Sequence, residues 1–238
     1  RTVGIPSEFL PRHLLGGPEH LASLPGPAVK DWKLDAILPA LGDRACATID
    51  RWAKTKEPFL IYMPLTSPHE PLAVNKPWRK KSGLNLYADF VMETDAVVGR
   101  VLEALDKAGV SDNTLVIFTS DNGKASYTGA AELEKMGHFS SGPLRGYKTS
   151  VYEGGHREPF VVRWPGMVKP GSTCGQLVHH ADILATLAAI LGDALPASAG
   201  EDSFSLLPLF KGSDQAVRRN AVSCAANGTP GLRMGEWK

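Results

Sequence analysis

The sequence predicts an α/β fold in which a mixed, mainly parallel sheet is covered by helices on both faces. Short apolar runs of strand length alternate with longer stretches whose apolar residues recur at helical spacing. Runs that are apolar throughout are typical of strands buried on both faces. The chain has 238 residues, of which 43% are hydrophobic, and is therefore long enough for one sizeable domain.

The first predicted αβ unit follows a loop. Residues 1–30 are rich in proline and glycine, which predicts a surface loop. A helix should follow and end before Pro58, and the apolar run Phe59–Met63 has the composition of a buried strand. The apolar face of this helix is formed by Leu41, Ala45, Ile49 and Trp52.

A second αβ unit is predicted beyond it. A helix should end near Gly109, where a C-terminal cap belongs, and Thr114–Thr119 should continue as a strand. Residues 124–147 are polar and glycine-rich, so we expect a long loop over the strand ends, where functional groups tend to gather. The apolar face of the helix is formed by Tyr87, Val91, Val98, Leu102 and Leu105.

The remaining elements are a strand at Phe160–Trp164 and an amphipathic helix over Ile183–Leu191 that Gly192 ends. A further strand is expected to begin near Leu232. We expect residues 1–30 to form a lead-in segment, 31–215 an α/β domain, and 216–238 the start of a smaller carboxyl-terminal subdomain.

Charge and cysteine content argue against several classes of function. The 26 basic and 25 acidic residues give a net charge of +1, so no overall field would attract nucleic acid. No apolar stretch approaches the roughly 18 to 20 residues of a membrane-spanning helix. The cysteines lack zinc-site spacing, so we expect buried free thiols at Cys46, Cys174 and Cys224.

An acid and an amide follow a predicted strand. Asp121, Asn122 and Gly123 come directly after the run Thr114–Ser120, at the carboxyl end where α/β sheets build their sites. Carboxylate and amide oxygens suit Ca²⁺, but calcium takes about six to eight oxygens, so more ligands must come from elsewhere. The same letters also form simple turns, and this alternative stays open.

An imidazole and an ammonium group complete the set of polar candidates. His69 follows another strand-like run and lies between Pro68 and Glu70–Pro71, in a rigid segment where it is suited to donate a proton to a leaving oxygen. Lys148 lies in a segment with several glycines near these groups, where it is suited to hold an anion. The alternatives are an exposed or structural histidine and a solvated surface lysine.

Three other polar patterns are interpreted as structural. Glu153 is expected to pair with Arg157 as a brace. His179–Asp182 resembles a metal triad, but adjacent helical residues face different directions, so a polar helix N-terminus is favoured. Gly123–Lys124 lacks the rest of a P-loop, which disfavours nucleotide binding.

Taken in order, these motifs resemble the sulfatase family. The order and the intervals both match over roughly residues 30 to 238. The segments that carry the resemblance are Pro58–Pro71, Ser120–Gly123, Gly142–Lys148, Tyr152–Phe160, Asp182–Gly192 and Leu232–Lys238.

The resemblance implies a sulfuric ester hydrolase with an alkaline-phosphatase-like α/β fold and a formylglycine made within a Cys/Ser-x-Pro-Ser-Arg motif. By this similarity Asp121 and Asn122 would be calcium ligands. Lys148 would hold a sulfate oxygen, and His69 would contact the sulfate and its bridging oxygen, as substrate-binding and catalytic groups. His138 and His156 would line the substrate opening. The substrate would be a sulfated small molecule or glycan.

The chain departs from the family pattern in its nucleophile. No formylglycine motif surrounds any cysteine, no Asp-Asp pair appears near the start, and Ser141–Arg145 has Leu144 where the motif has serine. We therefore expect a fold that is incomplete at its amino-terminal side, with the nucleophile on a missing amino-terminal portion. Alone, the chain should be inactive and bind calcium weakly.

Two alternative functions remain open. The enzyme rival is a phosphomonoester or phosphonate hydrolase of the same superfamily, and the other is a pseudoenzyme that serves as a binding module. The resemblance alone suggests a periplasmic, secreted or lysosomal location.

Overall fold

The computed structural model describes residues 2–4, 27–30, 32–55 and 57–238. The chain divides into two compact units. The first unit comprises Arg1–Ser111 and Ala125–Gly142, and the second comprises Asp112–Lys124 and Pro143–Lys238. Each contains helices and strands, as expected for an α/β protein.

Two long helices form the centre of the first unit. α1 (Ile37–Ala53) packs against α2 (Leu86–Lys107), and the approach is close at Gly42, where a Cβ atom would lie 2.9 Å from Cγ1 of Val97. The predicted α1 face is confirmed in its centre, because Ala45 and Ile49 are buried. The core around the helix pair is formed by Leu38, Val74, Phe90 and Val97.

The carboxyl-terminal end of α2 is as predicted, but its buried face is only partly so, since Leu105 of the predicted set is buried. The side chain of Asn85 accepts the Ala88 N–H at 3.1 Å as an N-cap, and Gly109 adopts φ +69° beyond the last turn. Val91 is 42% exposed, so its assignment to the apolar face was wrong. The buried face includes the carboxylate of Glu93.

Buried carboxylates on α2 organise the loop that precedes it. Glu93 accepts the backbone N–H and the side-chain amide of Asn75 at 2.9 and 2.6 Å. Asp89 accepts the backbone N–H groups of Lys80 and Ser82 at 2.6 and 2.8 Å. Apolar periodicity missed both residues because their burial is compensated by hydrogen bonds rather than by packing.

The strand predicted at Phe59–Met63 is not formed. Leu60 is 74% exposed and Tyr62 is 85% exposed, whereas Phe59, Ile61 and Met63 are partly buried. The alternation has the period of an extended chain. The prediction of burial on both faces was therefore wrong for this segment within the described part of the chain.

Short elements complete the first unit. β1 (Thr2–Gly4) pairs antiparallel with β2 (Pro27–Val29), so strands occupy both ends of the predicted surface loop. Residues 5–26, which make up most of that prediction, lie outside the described residues. α3 (Ala130–Lys135) interrupts the predicted loop at 124–147.

The second unit contains two antiparallel strand pairs. β3 (Val116–Thr119) pairs with β4 (Phe160–Arg163), with Thr119 opposite Phe160, and both strands fall within the predicted runs. The mixed sheet predicted from the sequence thus has an antiparallel component. The short helix α4 (Glu153–His156) lies between them in sequence.

The other elements of this unit follow β4. They are α5 (Asp182–Leu191), α6 (Leu207–Phe210), β5 (Asn220–Cys224) and β6 (Pro230–Met234). The predicted end of α5 is confirmed, because Gly192 adopts φ +76° after the last turn. The predicted strand near Leu232 is β6, which forms an antiparallel hairpin with β5.

A buried ion pair joins α5 to the segment before β5. Arg218 donates to both carboxylate oxygens of Asp182, at 3.0 and 2.7 Å. The Asp182 carboxylate also accepts the backbone N–H groups of His179 and Phe204. Arg218 donates further to the carbonyls of Asp202 and Asn220. Both charges are thus desolvated but hydrogen-bonded throughout.

Two further expectations concern the cysteines and the membrane. All three cysteines are free, as expected, but burial was wrong for Cys174 and Cys224, which are exposed, and Cys46 is partly buried. Among the described residues, no helix combines the length and apolar composition that crossing a membrane would require.

The Asp182–Arg218 pair yields a prediction about stability. We expect Arg218→Ala to lower the free energy of unfolding by about 3 to 5 kcal/mol, because it leaves the Asp182 carboxylate buried without its cation. The control is Lys54→Ala, which removes an exposed pair with Asp50 and should change stability by less than about 0.5 kcal/mol. Urea unfolding measures both, and equal losses would refute the assignment.

Candidate active site

The acid–amide pair lies at the end of β3. Asp121 is exposed, Asn122 is partly buried and Gly123 is buried. The Ser120 hydroxyl donates to the carbonyl of Asn122 at 3.2 Å. The strand thus holds the backbone of the loop while leaving the Asp121 carboxylate open to solvent.

The loop after β3 rests directly on α4 through backbone atoms. The N–H of Gly123 donates to the carbonyl of Gly155 at 3.0 Å. A Cβ atom at Gly123 would lie 2.0 Å from the carbonyl oxygen of Gly154, closer than any side chain can approach. Only glycine therefore permits this contact.

The segment that carries Lys148 packs on the other side of α4. The N–H of Gly154 donates to the carbonyl of Arg145 at 2.8 Å, and a Cβ atom at Gly154 would lie 2.2 Å from the carbonyl oxygen of Gly146. We call Gly123, Gly146, Gly154 and Gly155 the glycine stack. Three backbone segments meet there with no side chain between them.

A direct bond completes the arrangement. The N–H of Lys148 donates to the carbonyl of Lys124 at 2.9 Å, two residues beyond Asn122. The Lys148 side chain is partly buried. The Arg145 guanidinium lies 3.8 Å from the ring centroid of Tyr152, which fixes the entry to the segment. The structure thus brings together the segments of Asp121, Asn122 and Lys148.

Sequence reasoning missed Glu158. Glu158 lies two residues before Phe160, which pairs with Thr119, and it is near enough to Asp121 for the two charges to interact. Burial, and then the negative charge of Asp121, raise the pKa of Glu158 to about 7. The signal was present in the sequence, because Glu158 stands just before a predicted strand, but it needed the antiparallel register.

The side-chain oxygens of Asp121, Asn122 and Glu158 are of the type that a hard cation binds. A divalent ion beside Asp121 and Asn122 would offset the repulsion that raises the pKa of Glu158. The number of donors falls short, because the described ranges contain no group of three or more His, Cys, Asp or Glu side chains able to hold a metal. The donors thus fit the expected Ca²⁺ in chemistry and would need further ligands.

His69 and His138 belong to the first unit. His69 is exposed, and its Nδ1 lies 2.7 Å from the carbonyl oxygen of Glu70. The hydroxyl oxygens of the buried Thr94 and of nearby Ser67 lie 2.8 Å apart. His138 is exposed, and its N–H donates to the carbonyl of Leu133 just past α3. Their convergence with the residues of the second unit stays a prediction.

His156 lies in α4 and takes part in a charge cluster. Its Nε2 is 2.8 Å from the carbonyl oxygen of Val151 and also contacts the ammonium of Lys238. Glu153 accepts from Lys238 at 2.9 Å and lies 3.5 Å from both Arg157 and Arg233. The predicted Glu153–Arg157 brace is confirmed and is part of a larger cluster.

The His179–Asp182 segment forms a helix N-terminus, as predicted. The N–H of His179 donates to the Asp182 carboxylate at 2.8 Å, which ties the segment before α5 to the first residue of the helix. Burial, followed by the positive charge of Arg218, lowers the pKa of His179. His180 points elsewhere, with Nε2 2.9 Å from the hydroxyl of Thr119.

The glycine stack predicts the effect of a single methyl group. We expect Gly123→Ala to destabilise the protein by about 1 to 3 kcal/mol, because the loop must move away from Gly154. Gly99→Ala is the matched control, since Gly99 lies in α2 with nothing within 4 Å of the added atom, and it should stabilise by about 0.5 to 1 kcal/mol. Thermal unfolding distinguishes the two, and a neutral Gly123→Ala would contradict the stack.

The cluster around Glu153 predicts a pH dependence. Burial opposes ionisation, but the hydrogen bond from Lys238 and the charges of Lys238 and Arg233 hold the pKa of Glu153 below 4.5. The carboxylate therefore stabilises the fold above about pH 5, and this contribution is lost as the pH falls through the depressed pKa. The melting-temperature difference between wild type and Glu153→Gln should shrink from pH 7 towards about pH 3. Glu201→Gln, at an exposed site, should show no such trend.

Comparisons with known proteins identify the family of the chain. The family model described as Sulfatase matches residues 34–193. The chain is 34% identical over 236 residues to an N-acetylgalactosamine-6-O-sulfatase of Bacteroides thetaiotaomicron, covering 98% of this chain and 46% of that protein. It is 37% identical over 187 residues to human arylsulfatase A, covering 76% and 35% of the two chains.

Solved structures show the same relationship. One from work on glycosaminoglycan metabolism by Bacteroides thetaiotaomicron superposes with a TM-score of 0.80 at 35% identity, covering 86% of this chain and 43% of that chain. Ps i-CgsB in complex with k-i-k-neocarrahexaose gives 0.73 at 29% identity, covering 88% and 46%. The chain spans less than half the length of these proteins and has their alkaline-phosphatase-like α/β fold. The resemblance predicted from the motifs is confirmed, and the chain belongs to the sulfatase family of sulfuric ester hydrolases.

Proposed function

We propose that this chain provides part of the active site of a calcium-dependent sulfatase. The observation that carries the proposal is the direct backbone link between the Asp121–Asn122 loop and the Lys148 segment in a chain of this family. The link keeps oxygen ligands and an ammonium group together, and a cation with an anionic ester requires both.

Each predicted residue has a role in this proposal. Asp121 and Asn122 hold Ca²⁺, and Glu158 adds negative charge next to them. Lys148 contacts a sulfate oxygen, where its charge stabilises the transition state more than the ground state. His69 donates a proton to the bridging oxygen as the alcohol departs. Formylglycine would supply the nucleophile from outside this chain.

The remaining assignments are part of the same proposal. His138 and His156 line the substrate opening, and the tethers of His156 to Val151 and Lys238 would fix its orientation. Residues 31–215 form the catalytic domain, preceded by the lead-in segment 1–30 and followed by the start of a subdomain at 216–238. The missing amino-terminal portion completes the ligand set.

The proposed substrate is a sulfate ester of a glycan or a small molecule. Relatives that support this class carry the names N-acetylgalactosamine-6-sulfatase, arylsulfatase A and steryl-sulfatase. A periplasmic, secreted or lysosomal location accords with this family. Alone, the chain lacks a nucleophile motif and should not turn over substrate.

An assay of the complete reading frame and of this chain tests the proposal. The complete protein should hydrolyse an aryl sulfate faster than the matching aryl phosphate, lose activity on chelation and regain it with calcium. Lys148→Ala should reduce kcat/KM at least about 100-fold, whereas Lys169→Ala, at an exposed position, should have no effect.

Other outcomes would overturn the proposal. Faster phosphate hydrolysis would assign the protein to the phosphoester hydrolases of the superfamily. A correctly folded complete protein without hydrolytic activity would favour a pseudoenzyme. Full activity of Lys148→Ala would remove the anion-binding role of that residue.

A further inference from the structure

Lys148 lies in a tight turn whose third residue has an unusual backbone conformation. The N–H of Ser150 donates to the carbonyl of Tyr147 at 3.1 Å, so Lys148 and Thr149 are the two central residues of the turn. Thr149 has φ +79°, whereas the φ of Lys148 is not positive. This combination is that of a type II turn, whose third position is normally occupied by glycine or asparagine.

The backbone of Thr149 is strained. A β-branched residue with a positive φ is a genuine outlier, because its Cβ atom crowds a neighbouring carbonyl oxygen. Within the described ranges, Lys80 is the only other non-glycine residue with a positive φ. Such strain persists only where the surrounding structure holds it, and it is concentrated at functional sites. Contacts from other parts of the protein must therefore hold Thr149 in place.

Two parts of the second unit form backbone hydrogen bonds to the turn. The N–H of Lys148 donates to the carbonyl of Lys124 at 2.9 Å, in the loop after β3. The N–H of Ala226 donates to the carbonyl of Thr149 at 3.0 Å. Ala226 lies at the tip of the hairpin, between the end of β5 and the start of β6. The pair Lys148–Thr149 thus has one anchored backbone group at each end.

The β5–β6 hairpin is also fastened to the residues that follow the turn. A Cβ atom at Gly231 would lie 3.4 Å from Cβ of Val151. Arg233 lies 3.5 Å from the carboxylate of Glu153. Residues 149, 151 and 153 therefore all contact the hairpin, and the bond to Thr149 is the contact nearest to Lys148 in the chain.

We propose that Thr149 is a positioning residue for Lys148, and that the hairpin tip at Ala226 holds Thr149 in the left-handed conformation that the turn requires. The inference rests on the proposed function, in which Lys148 contacts a sulfate oxygen. The ammonium group is carried by a flexible four-carbon chain, so its reach depends on where the backbone places that chain. A misplacement of about 1 Å costs on the order of 100-fold in rate.

Loss of the hydrogen bond from the hairpin tip should let Thr149 relax to a negative φ. While the bond between Tyr147 and Ser150 keeps the turn closed, this relaxation requires rotation of the peptide group between Lys148 and Thr149. The ψ angle of the second residue is about +120° in a type II turn and about −30° in a type I turn. Lys148 would then alternate between backbone conformations instead of keeping one.

Kinetics and backbone hydrogen exchange of the complete protein test this inference. Ala226→Pro removes the N–H donor at the hairpin tip and leaves the sequence of the turn unchanged. It should lower kcat/KM for an aryl sulfate at least about 10-fold. The loss should fall mainly on kcat, because the charge of Lys148 stabilises the transition state more than the ground state. The amides of Lys148 and Ser150 should exchange at least about 10-fold faster.

Thr149→Gly provides the rescue. Glycine adopts a positive φ without strain, so the turn no longer needs the bond from the hairpin tip. In this background, Ala226→Pro should lower kcat/KM by less than about 3-fold and should leave the exchange rates nearly unchanged. A proline that merely unfolded the hairpin would lower activity equally in both backgrounds, since both proteins carry it.

Asn227→Ala is the matched control at the hairpin tip. It removes a different hydrogen bond, in which the side chain of Asn227 accepts the N–H of Thr229 at 3.1 Å. The N–H of Ala226 and its bond to Thr149 are left in place. This variant should keep the kcat/KM and the exchange rates of the wild type.

Several results would overturn the inference. They are a proline effect of equal size in both backgrounds, unchanged kinetics and exchange in Ala226→Pro, a loss confined to KM, and an equal loss in Asn227→Ala. A complete protein that hydrolyses no sulfate ester, but shows the faster exchange and its rescue by glycine, would refute the proposed activity and leave the hold of the hairpin on Thr149 intact.

Discussion

The candidate site depends on a backbone-to-backbone contact at the glycine stack. Gly123 meets Gly154 and Gly155 without an intervening side chain, and Gly154 meets Gly146 in the same way. Hydrogen bonds from the N–H groups of Gly123 and Gly154 hold the three segments. Each contact leaves no room for a methyl group. The relative position of the Asp121 and Lys148 segments is therefore set by direct contact between backbones and not by side chains that could change rotamer.

Buried charge is handled differently in the two units. In the first, the Glu93 carboxylate accepts two hydrogen bonds from Asn75, and it thereby fixes a loop to α2. In the second, Asp182 faces the guanidinium of Arg218 and also accepts the N–H of His179. Both arrangements offset desolvation with directed bonds, so they specify geometry more than they add stability.

Much of the architecture could be predicted from apolar runs and from glycines in the sequence. β3 and α5 follow from apolar runs of the right length, and Gly109 and Gly192 mark helix ends because only glycine readily adopts the left-handed conformation there. The link between Asp121 and Lys148 was inferred from motif order. Without the pairing of β3 and β4, the sequence gives no means of placing Glu158 near Asp121.

The errors share a cause, namely that a sequence pattern does not reveal which other parts of the protein pack against a segment. Phe59–Met63 has strand composition, yet composition does not reveal whether a neighbouring strand is present. Val91 was assigned to the apolar face from helical spacing, which gives no sign that the carboxylate of Glu93 is buried instead. The thiols of Cys174 and Cys224 were assigned to the interior from average tendencies, which local loop structure overrides.

The chain path has a practical consequence for anyone who dissects this protein. Residues 125–142 return to the first unit between two stretches of the second, so the polypeptide crosses between units near residues 111, 124 and 142. No single cleavage separates the units, and a truncation after Ser111 would strip the first of α3. Modular exchange with a relative must therefore transplant discontinuous segments together.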